Sequence, residues 1–257
     1  MLAVTQLFSL EGKRALITGA AGGVGSAIAT LFADAGASLL LTDRDDDTLS
    51  KLSVSLAEQT DIDSRITDLS DPDSVNGLCH LLHRQPVDIL VNCAGIEGQV
   101  GGLEDCSPAQ WQQLMQINLL ACQQLSTAVI PTMRKKGGGR LIYVASIAGL
   151  RGNKALGLYS VAKAALMSMA RNYAVQCGPD GITANAIAPG LINTPLSQHL
   201  QANEAFMTRR LQMTPLRRIG EPDEIAATAL YLASQAGAFT TGQTLVVDGG
   251  TVITDGN

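Results

Sequence analysis

Short aliphatic runs alternate along the chain with longer segments in which apolar and polar residues recur at helical spacing. Runs that are apolar at successive positions suit strands buried on both faces of a sheet. Repeated alternation of such strands with helices predicts a parallel sheet that is covered by helices on both sides. Seven runs have the length of a strand: residues 14–18, 38–42, 63–67, 87–91, 140–145, 182–188 and 243–248.

Two of the helical segments have readable starts. Asp71 stands before Pro72, which places a capping carboxylate ahead of a proline at the first helical position. Ser107 stands before Pro108 and is followed by Gln110, the residue that completes a capping box. Helices are therefore predicted to begin at both places.

The domain organisation follows from the regularity of this alternation. No low-complexity linker or short-period repeat interrupts it, so we predict one domain over residues 1–257. Residues 191–220 depart from the rhythm, because they form a long segment between the sixth strand and the next helix. Such an insertion is typical of a lid over a site.

Composition narrows the class of protein. Aromatic residues make up only 4% of the chain, so the predicted core is aliphatic. The net charge of −5, with no block of lysine and arginine, argues against nucleic acid or an anionic membrane as partner. No apolar run approaches the roughly 18 residues of a membrane helix. His80 and His83 lack a third ligand, so no metal site is predicted.

The cellular compartment is predicted from two features of the sequence. Five cysteines, an odd number, form no CxxC pair, which is typical of reduced thiols. The N-terminal residues lack the basic and long apolar regions of a signal peptide. Both features indicate a cytoplasmic protein.

A glycine-rich loop follows the first predicted strand. In TGAAGGVG, residues 18–25, Gly19, Gly23 and Gly25 have the spacing GxxxGxG, and a helix opens within the loop. Glycines let the backbone approach a pyrophosphate closely, and the helix N-terminus supplies free N–H groups. A merely tight strand–helix turn is the alternative interpretation.

The second predicted strand ends at an acid. Asp43 follows Gly19 by 24 residues. At about this distance, dinucleotide-binding folds carry the acid that accepts hydrogen bonds from the ribose hydroxyls. A carboxylate there would repel a 2′-phosphate, which favours NAD over NADP. A solvated loop acid beside Asp45 is the alternative, and Arg44 complicates the prediction because it could pair with a 2′-phosphate.

The sequence YSVAK places Tyr159 and Lys163 four residues apart near the start of a predicted helix, so they share one face. An ammonium near a phenol stabilises the phenolate and lowers the phenol pKa toward a value useful for acid–base catalysis. The alternative is that both side chains reach into solvent from a surface helix.

These motifs together resemble those of the short-chain dehydrogenase/reductase family in its compact single-domain form. The resemblance covers nearly the whole chain and implies a doubly wound Rossmann fold, with a seven-stranded, mostly parallel sheet and helices on both faces. The matching residues follow the family's order: the loop 18–25, NCAG at 92–95, Asn118 in QINLLA, Ser146, Tyr159 and Lys163, Pro189 and Gly190 with Ile192 and Thr194, and the final VVDGG.

The resemblance implies a catalytic group of Asn118, Ser146, Tyr159 and Lys163. Tyr159 would exchange a proton with the substrate oxygen while hydride moves to or from carbon. Ser146 would hydrogen-bond the reacting oxygen and stabilise its developing charge. Lys163 would bind the nicotinamide ribose, and Asn118 would help to hold a water that relays the proton.

The resemblance also implies the cofactor contacts. Asp68 is similar to the family's adenine-contacting acid, with a helix-capping role near Ser70 as an equal alternative. Asn92 is either structural or contacts ribose through its backbone. The predicted contacts are Gly19, Gly22, Gly23, Val24, Gly25, Asp43, Arg44, Asp68, Leu69, Asn92, Ala94, Gly95, Tyr159, Lys163, Pro189, Gly190, Ile192 and Thr194.

The substrate pocket of the family would place a polar rim around the nicotinamide, with Glu97, Lys154 and the 195–215 segment nearby. A hydroxylated or anionic small molecule fits such a rim as well as a steroid does. The predicted substrate contacts are Ser146, Ala148, Arg151, Asn153, Tyr159 and Leu191. The family resemblance also implies a homotetramer.

The sequence therefore predicts an NAD-dependent oxidoreductase that interconverts a secondary alcohol and a ketone on a small molecule. Three alternatives stay open: an NADPH-dependent 3-oxoacyl-[acyl-carrier-protein] reductase, a non-catalytic NAD-binding regulatory protein, and a nucleotide-sugar epimerase or dehydratase. Asp43 counts against the first, the intact catalytic group against the second, and the short C-terminal region against the third.

Overall fold

The computed structural model describes residues 3–254. Its described strands form one seven-stranded sheet in the order β3-β2-β1-β4-β5-β6-β7, and every pairing is parallel. The predicted fold is confirmed, with strand bounds that differ from the sequence-based runs by at most two residues. The strands are β1 Arg14–Thr18, β2 Ser38–Asp43, β3 Ile62–Ile66, β4 Ile89–Asn92, β5 Gly139–Val144, β6 Ile182–Pro189 and β7 Thr244–Val247.

Helices cover both faces of the sheet, and none of those described combines the length and apolarity needed to cross a membrane. The predicted caps are present: Asp71 accepts hydrogen bonds from the N–H groups of Asp73 and Ser74, and Ser107 and Gln110 form the capping box. The helices are α1 Val4–Phe8, α2 Gly23–Asp34, α3 Asp46–Leu56, α4 Pro72–Arg84, α5 Pro108–Met115, α6 Ala121–Lys136, α7 Gly157–Cys177, α8 Gln198–Gln201, α9 Glu204–Gln212 and α10 Pro222–Ala233.

The core consists of two apolar layers, one on each face of the sheet. Along β1 the side chains alternate between them: Leu16 packs in the layer beneath α4, α6 and α7, and Ile17 packs in the layer beneath α2 and α10. Both side chains are fully buried. This explains why the central strands are apolar at successive positions, since neither of their faces meets water.

The strand order reverses direction between β1 and β4. The chain leaves β1 toward β2 and β3 on one side, and continues from β4 to β7 on the other. Because all strands are parallel, their carboxyl ends lie at one edge, and the loops after β1 and β4 diverge there. Such a switch point opens a crevice that binds ligands in open α/β sheets.

The 191–220 segment, whose length departs from the strand–helix rhythm, contains a short 3₁₀ turn followed by α8 and α9. Its end is joined to the last loop of the chain, because Thr214 and Thr251 share a hydrogen bond of 3.0 Å between their hydroxyls and the Leu216 N–H donates to the Gly249 carbonyl. Gly249 and Gly250 have φ of 63° and 88°, and a Cβ on Gly250 would lie 2.8 Å from Pro215. The final glycine pair therefore fits the turn that seats residues 214–216.

Candidate active site

A cavity of about 360 Å³ lies at the carboxyl edge of the sheet, at the switch point. It brings together nearly all residues that the sequence predicts as contacts. All of the predicted cofactor contacts except Asn92 line it, as do all of the predicted substrate contacts. Of the predicted catalytic group, Asn118 lies behind the wall of the cavity and the other three line it.

The glycine loop is packed too closely for larger residues. Gly19 has a φ of 68°, and a Cβ there would lie 2.7 Å from Ala94 Cα. A Cβ on Gly25 would lie 2.0 Å from the Gly19 carbonyl oxygen. Thr18 fastens this loop to the loop after β4, since its hydroxyl accepts hydrogen bonds from the N–H groups of Cys93 at 3.1 Å and Ala94 at 3.2 Å. The two loops that border the crevice thus form one rigid unit.

The start of α2 provides the donors that a pyrophosphate requires. Its N-cap is Gly22, which offers no side-chain hydrogen bond, and the first helical residues Gly23, Val24 and Gly25 line the cavity. Their N–H groups belong to the orphan donors of a helix start, and the helix dipole favours an anion there. The glycine cradle and its free donors fit a dinucleotide.

We expect Gly25→Ala to destabilise the protein by about 1–3 kcal/mol or more, because the new methyl must displace the Gly19 carbonyl or its own helix. Gly178→Ala is the matched control, since nothing lies within 4 Å of a Cβ at that position. Urea unfolding followed by circular dichroism measures both. A Gly25→Ala protein as stable as the parent would show that the loop relaxes without cost.

Two acids border the far side of the cavity. The Asp43 carboxylate accepts hydrogen bonds from the N–H groups of Ala21 at 3.0 Å and Arg44 at 2.7 Å, which fixes it beside the glycine loop. Asp68 accepts from both the N–H and the hydroxyl of Ser70, and these bonds lower the pKa of its carboxyl. Asp68 therefore orders the turn before α4 and also lines the cavity.

Three residues of the predicted catalytic group lie near the carboxyl end of β5: Ser146, Tyr159 and Lys163. The Lys163 ammonium is 3% exposed, lies 5.5 Å from the centre of the Tyr159 ring and donates a hydrogen bond of 2.7 Å to the Val144 carbonyl. Among the described residues no carboxylate lies within 4.0 Å of this ammonium. The geometry agrees with a shared helix face and not with side chains that reach into solvent.

The pKa of Tyr159 differs from the expectation based on spacing. Burial of the phenol raises its pKa to about 12, while Ser146 lowers it and the negative charge of Glu97 raises it further. Burial also lowers the pKa of Lys163. The expected lowering by Lys163 is therefore not found, because burial is the largest influence on the phenol pKa and Lys163 is not among the groups that shift it.

Asn118 and Asn92 are both buried amides behind the cavity. The Asn118 side chain accepts from the Ile96 N–H at 2.9 Å and donates to the Ile96 carbonyl at 2.8 Å. It stands in a π-helical turn, Gln116–Leu120, that joins α5 to α6. Asn92 is 1% exposed, and its amide has no hydrogen-bond partner among the described residues. The Asn118 side chain thus holds the loop after β4, and its predicted water relay stays a prediction.

At the substrate end, Ala148, Arg151 and Leu191 face the cavity as predicted. Asn153 also lines it, but its side-chain Oδ1 atom orders the chain before α7, since it accepts from the N–H groups of Ala155 and Leu156. The wall also contains residues that the sequence placed near the pocket only as part of the 195–215 segment. These are Leu196, Ser197, Leu200 and Arg210.

Known proteins of similar sequence cover nearly the whole chain. A family model described as enoyl-(acyl carrier protein) reductase matches residues 19–252. A 2-keto-3-deoxy-L-fuconate dehydrogenase from Xanthomonas campestris pv. campestris is 37% identical over 94% of this chain and 80% of its own length. A 3-oxoacyl-[acyl-carrier-protein] reductase from Thermotoga maritima is 34% identical over 95% of this chain and 99% of its own.

The fold is matched equally well by solved structures. A gluconate 5-dehydrogenase from Burkholderia cenocepacia, in complex with NADP and tartrate, superposes with a TM-score of 0.92 at 31% sequence identity, and covers 98% of this chain and all of its own. The family match, the relatives and the superposition agree with the motifs and with the geometry of the cavity. The chain belongs to the short-chain dehydrogenase/reductase family of nicotinamide-dependent oxidoreductases.

Proposed function

We propose that this protein is an NAD(H)-dependent dehydrogenase that interconverts a secondary alcohol and a ketone on a small molecule. The observation that carries the proposal is the position of Tyr159, Ser146 and Lys163 in the same cavity as the uncapped start of α2. Backbone N–H groups that can bind the cofactor phosphates and an acid–base group thus line the same cavity. Hydride transfer between a cofactor and a bound substrate requires this arrangement.

In the proposed reaction, Tyr159 takes the proton of the alcohol, or returns one to the ketone. Ser146 hydrogen-bonds the substrate oxygen and stabilises the charge that develops on it. Lys163 and the glycine loop hold the cofactor. When bound, the nicotinamide supplies the hydride chemistry, and the positive charge of its oxidised form lowers the pKa of a nearby phenol.

The choice of NAD over NADP depends on Asp43. Its carboxylate, which the Ala21 N–H holds in place, lines the cavity beside the glycine loop. There it would accept hydrogen bonds from the ribose hydroxyls and repel a 2′-phosphate. Arg44, which is exposed and also lines the cavity, is the group that could favour NADP, and the gluconate 5-dehydrogenase structure holds NADP. We give Asp43 the greater weight because the backbone fixes it in place.

The second candidate function is an NADPH-dependent 3-oxoacyl-[acyl-carrier-protein] reductase. The Thermotoga maritima relative, matched over almost its full length, supports it. Asp43 opposes it through cofactor choice. A non-catalytic NAD-binding role is a weaker candidate, since Ser146, Tyr159 and Lys163 stand together in the cavity.

The proposal is tested with a panel of secondary alcohols and ketones, each offered with both cofactors and followed by the absorbance of the reduced nicotinamide. We expect turnover with NAD(H) and tighter binding of NADH than of NADPH in a calorimetric titration. Tighter binding of NADPH, together with reduction of 3-oxoacyl thioesters, would favour the second candidate. Tight NADH binding without turnover of any alcohol would favour the regulatory one.

The pH dependence of alcohol oxidation is expected to respond to Glu97. Oxidation needs the phenolate form of Tyr159, so its rate rises with pH through the Tyr159 pKa, which the negative charge of Glu97 raises. Glu97→Gln removes that charge, and we expect the rising limb of kcat/KM to move to lower pH. Glu104→Gln, at an exposed position, is the control. A limb that stays in place or moves to higher pH would contradict the assigned influence of Glu97.

The homotetramer stays a prediction from the family resemblance. Its support in this chain is a set of exposed apolar side chains on α7 and near the end of the described chain. Val161 and Val175 on α7 are 38% and 81% exposed, and Ile253 near the chain end is 89% exposed. Association would remove these side chains from water.

A further inference from the structure

Two arginines from separate elements face the substrate end of the cavity. Arg151 follows the loop after β5, and Arg210 lies in the last turn of α9. Both are half-buried and both line the same cavity as Ser146 and Tyr159. The mechanism uses neither guanidinium, so their position requires another explanation.

The two guanidiniums lack an ionic partner. Within the described part of the chain, residues 3–254, no carboxylate lies within 4.0 Å of either one. Both guanidiniums line the same cavity, and the pKa of Arg210 is lowered first by burial and then by the positive charge of Arg151. Two like charges in a half-buried wall are unfavourable unless an anion joins them.

Neighbouring groups hold both arginines in place. The Arg210 guanidinium carbon lies 5.5 Å from the centre of the Phe206 ring, one helical turn earlier on α9. The Arg151 Nη1 atom donates to the Thr251 carbonyl at 3.5 Å, a long bond that leaves its remaining donors free. The fork of each side chain is therefore oriented but largely unused by the protein.

We propose that Arg151 and Arg210 form a carboxylate-binding subsite, and that the substrate is a small hydroxy or keto acid whose carboxylate binds there while its reacting carbon lies at Tyr159. This inference rests on the proposed dehydrogenase function and specifies its substrate class. Guanidinium groups bind planar carboxylates through paired hydrogen bonds, which would also fix the direction of the substrate in the cavity.

The local charge favours a carboxylate over a phosphate. Asp248 is the acid whose charge reaches Arg210, and its two oxygens already accept from the N–H groups of Gly250 at 2.8 Å and Val252 at 2.7 Å. With Asp248 counted, the two arginines retain one positive charge. One carboxylate balances this charge, whereas a phosphate dianion would leave the subsite negative.

Glu97, the acid that lines the cavity near Tyr159, supports the same orientation. Glu97 lies near enough to Tyr159 to raise the phenol pKa, and it stands 3.6 Å from His199. An anionic group placed beside Glu97 would meet the negative charge of that carboxylate. The carboxylate of a substrate is therefore directed toward the arginines, and its hydroxyl groups toward Glu97.

The experiment compares acids with their neutral counterparts: lactate with propylene glycol, glycerate with glycerol, and gluconate with sorbitol. Binding to the NADH-loaded protein is measured by calorimetry, and turnover by reduced-nicotinamide absorbance. We expect at least one acid to bind better than its counterpart. Arg210→Gln or Arg151→Gln should weaken that acid about 10-fold to 10²-fold, with the neutral compound unchanged. Arg209→Gln, at the exposed neighbouring position on α9, should behave like the parent.

Several outcomes would overturn the subsite. The subsite is contradicted if every acid binds no better than its neutral counterpart, or if the preference for the acid survives in both arginine variants. Tighter binding of glycerol phosphate than of glycerate would show that the subsite prefers a phosphate and not a carboxylate. Circular dichroism checks folding, and Arg210→Lys should restore part of the affinity. Turnover of neutral alcohols without a preference for acids would contradict the subsite but support the dehydrogenase function. Arginine-dependent binding of acids without any turnover would support the subsite but contradict the dehydrogenase function.

Discussion

Tyr159→Phe is expected to reduce turnover by about 10²–10⁴-fold, the usual contribution of a positioned acid–base group. The substitution removes one oxygen and keeps the ring, so the packing of α7 and the cavity shape are preserved. Steady-state kinetics with the best substrate of the panel measure the loss. NADH binding should stay close to that of the parent, because the phenol oxygen serves the proton transfer and not the phosphate contacts.

Tyr173→Phe is the matched control for this variant. Tyr173 lies on the same helix but outside the cavity, and its hydroxyl makes two long contacts of 3.5 Å, a hydrogen bond to the Gln123 carbonyl and one shared with the Thr127 hydroxyl. Its turnover should equal that of the parent. If Tyr159→Phe kept more than a few per cent of the parent turnover, Tyr159 would not be the acid–base group.

Lys163→Met is expected to separate activity from stability. The ammonium is 3% exposed and has one hydrogen bond, to the Val144 carbonyl. Removing a buried charge that has no ionic partner relieves a desolvation cost of several kcal/mol, while the carbonyl left behind costs about 1–3 kcal/mol. We therefore expect a Tm equal to or above that of the parent, with cofactor affinity and turnover both strongly reduced.

Lys135→Met, on the exposed end of α6, is the comparison for this experiment. It changes the same residue type at a position where the charge is solvated, and it should alter neither Tm nor turnover appreciably. A large fall in Tm for Lys163→Met would show that the buried ammonium serves the fold. Turnover near that of the parent would remove Lys163 from the proposed reaction.

The sheet could be predicted closely because its strands carry an unusually clear signal. In β1 both Leu16 and Ile17 are buried, so the run is apolar at successive positions and cannot be confused with a half-exposed strand. The edge strand β3 is the weakest run, with exposed Asp63 and Ser64, and its start is one residue earlier than the sequence indicated. At an edge, polar residues are tolerated and the pattern loses its contrast.

The site could be predicted where its residues belong to short motifs, and not where they come together only in space. Arg210 is one of two adjacent arginines on an otherwise ordinary helix, and nothing in the local sequence links it to Arg151. Phe206 and Arg210 stand four residues apart and so share one face of α9, but this spacing would have indicated a half-buried face only with the helix bounds known. Three-dimensional convergence of separate elements leaves no periodic signal in the chain.

The pKa of Tyr159 shows a second limit of motif-based prediction. The YSVAK spacing places the ammonium beside the phenol, and that placement is present. The spacing says nothing about how completely the ring is removed from water, which is the largest influence on its pKa. The ring shares an apolar cluster with Ile96 from the loop after β4 and with Leu114 from α5, both remote in sequence, so the depth of its burial depends on elements outside the motif.

The fit of Gly249 and Gly250 against Pro215 has a consequence for any attempt to redesign specificity. A chimera that takes residues 191–220 from a relative would bring a foreign turn onto these glycines, and the graft would be seated poorly. Exchange of residues 248–252 along with it keeps the matching surfaces together. Residues 191–220 and 248–252 should therefore be exchanged together, while the nucleotide-binding half of the domain is kept unchanged.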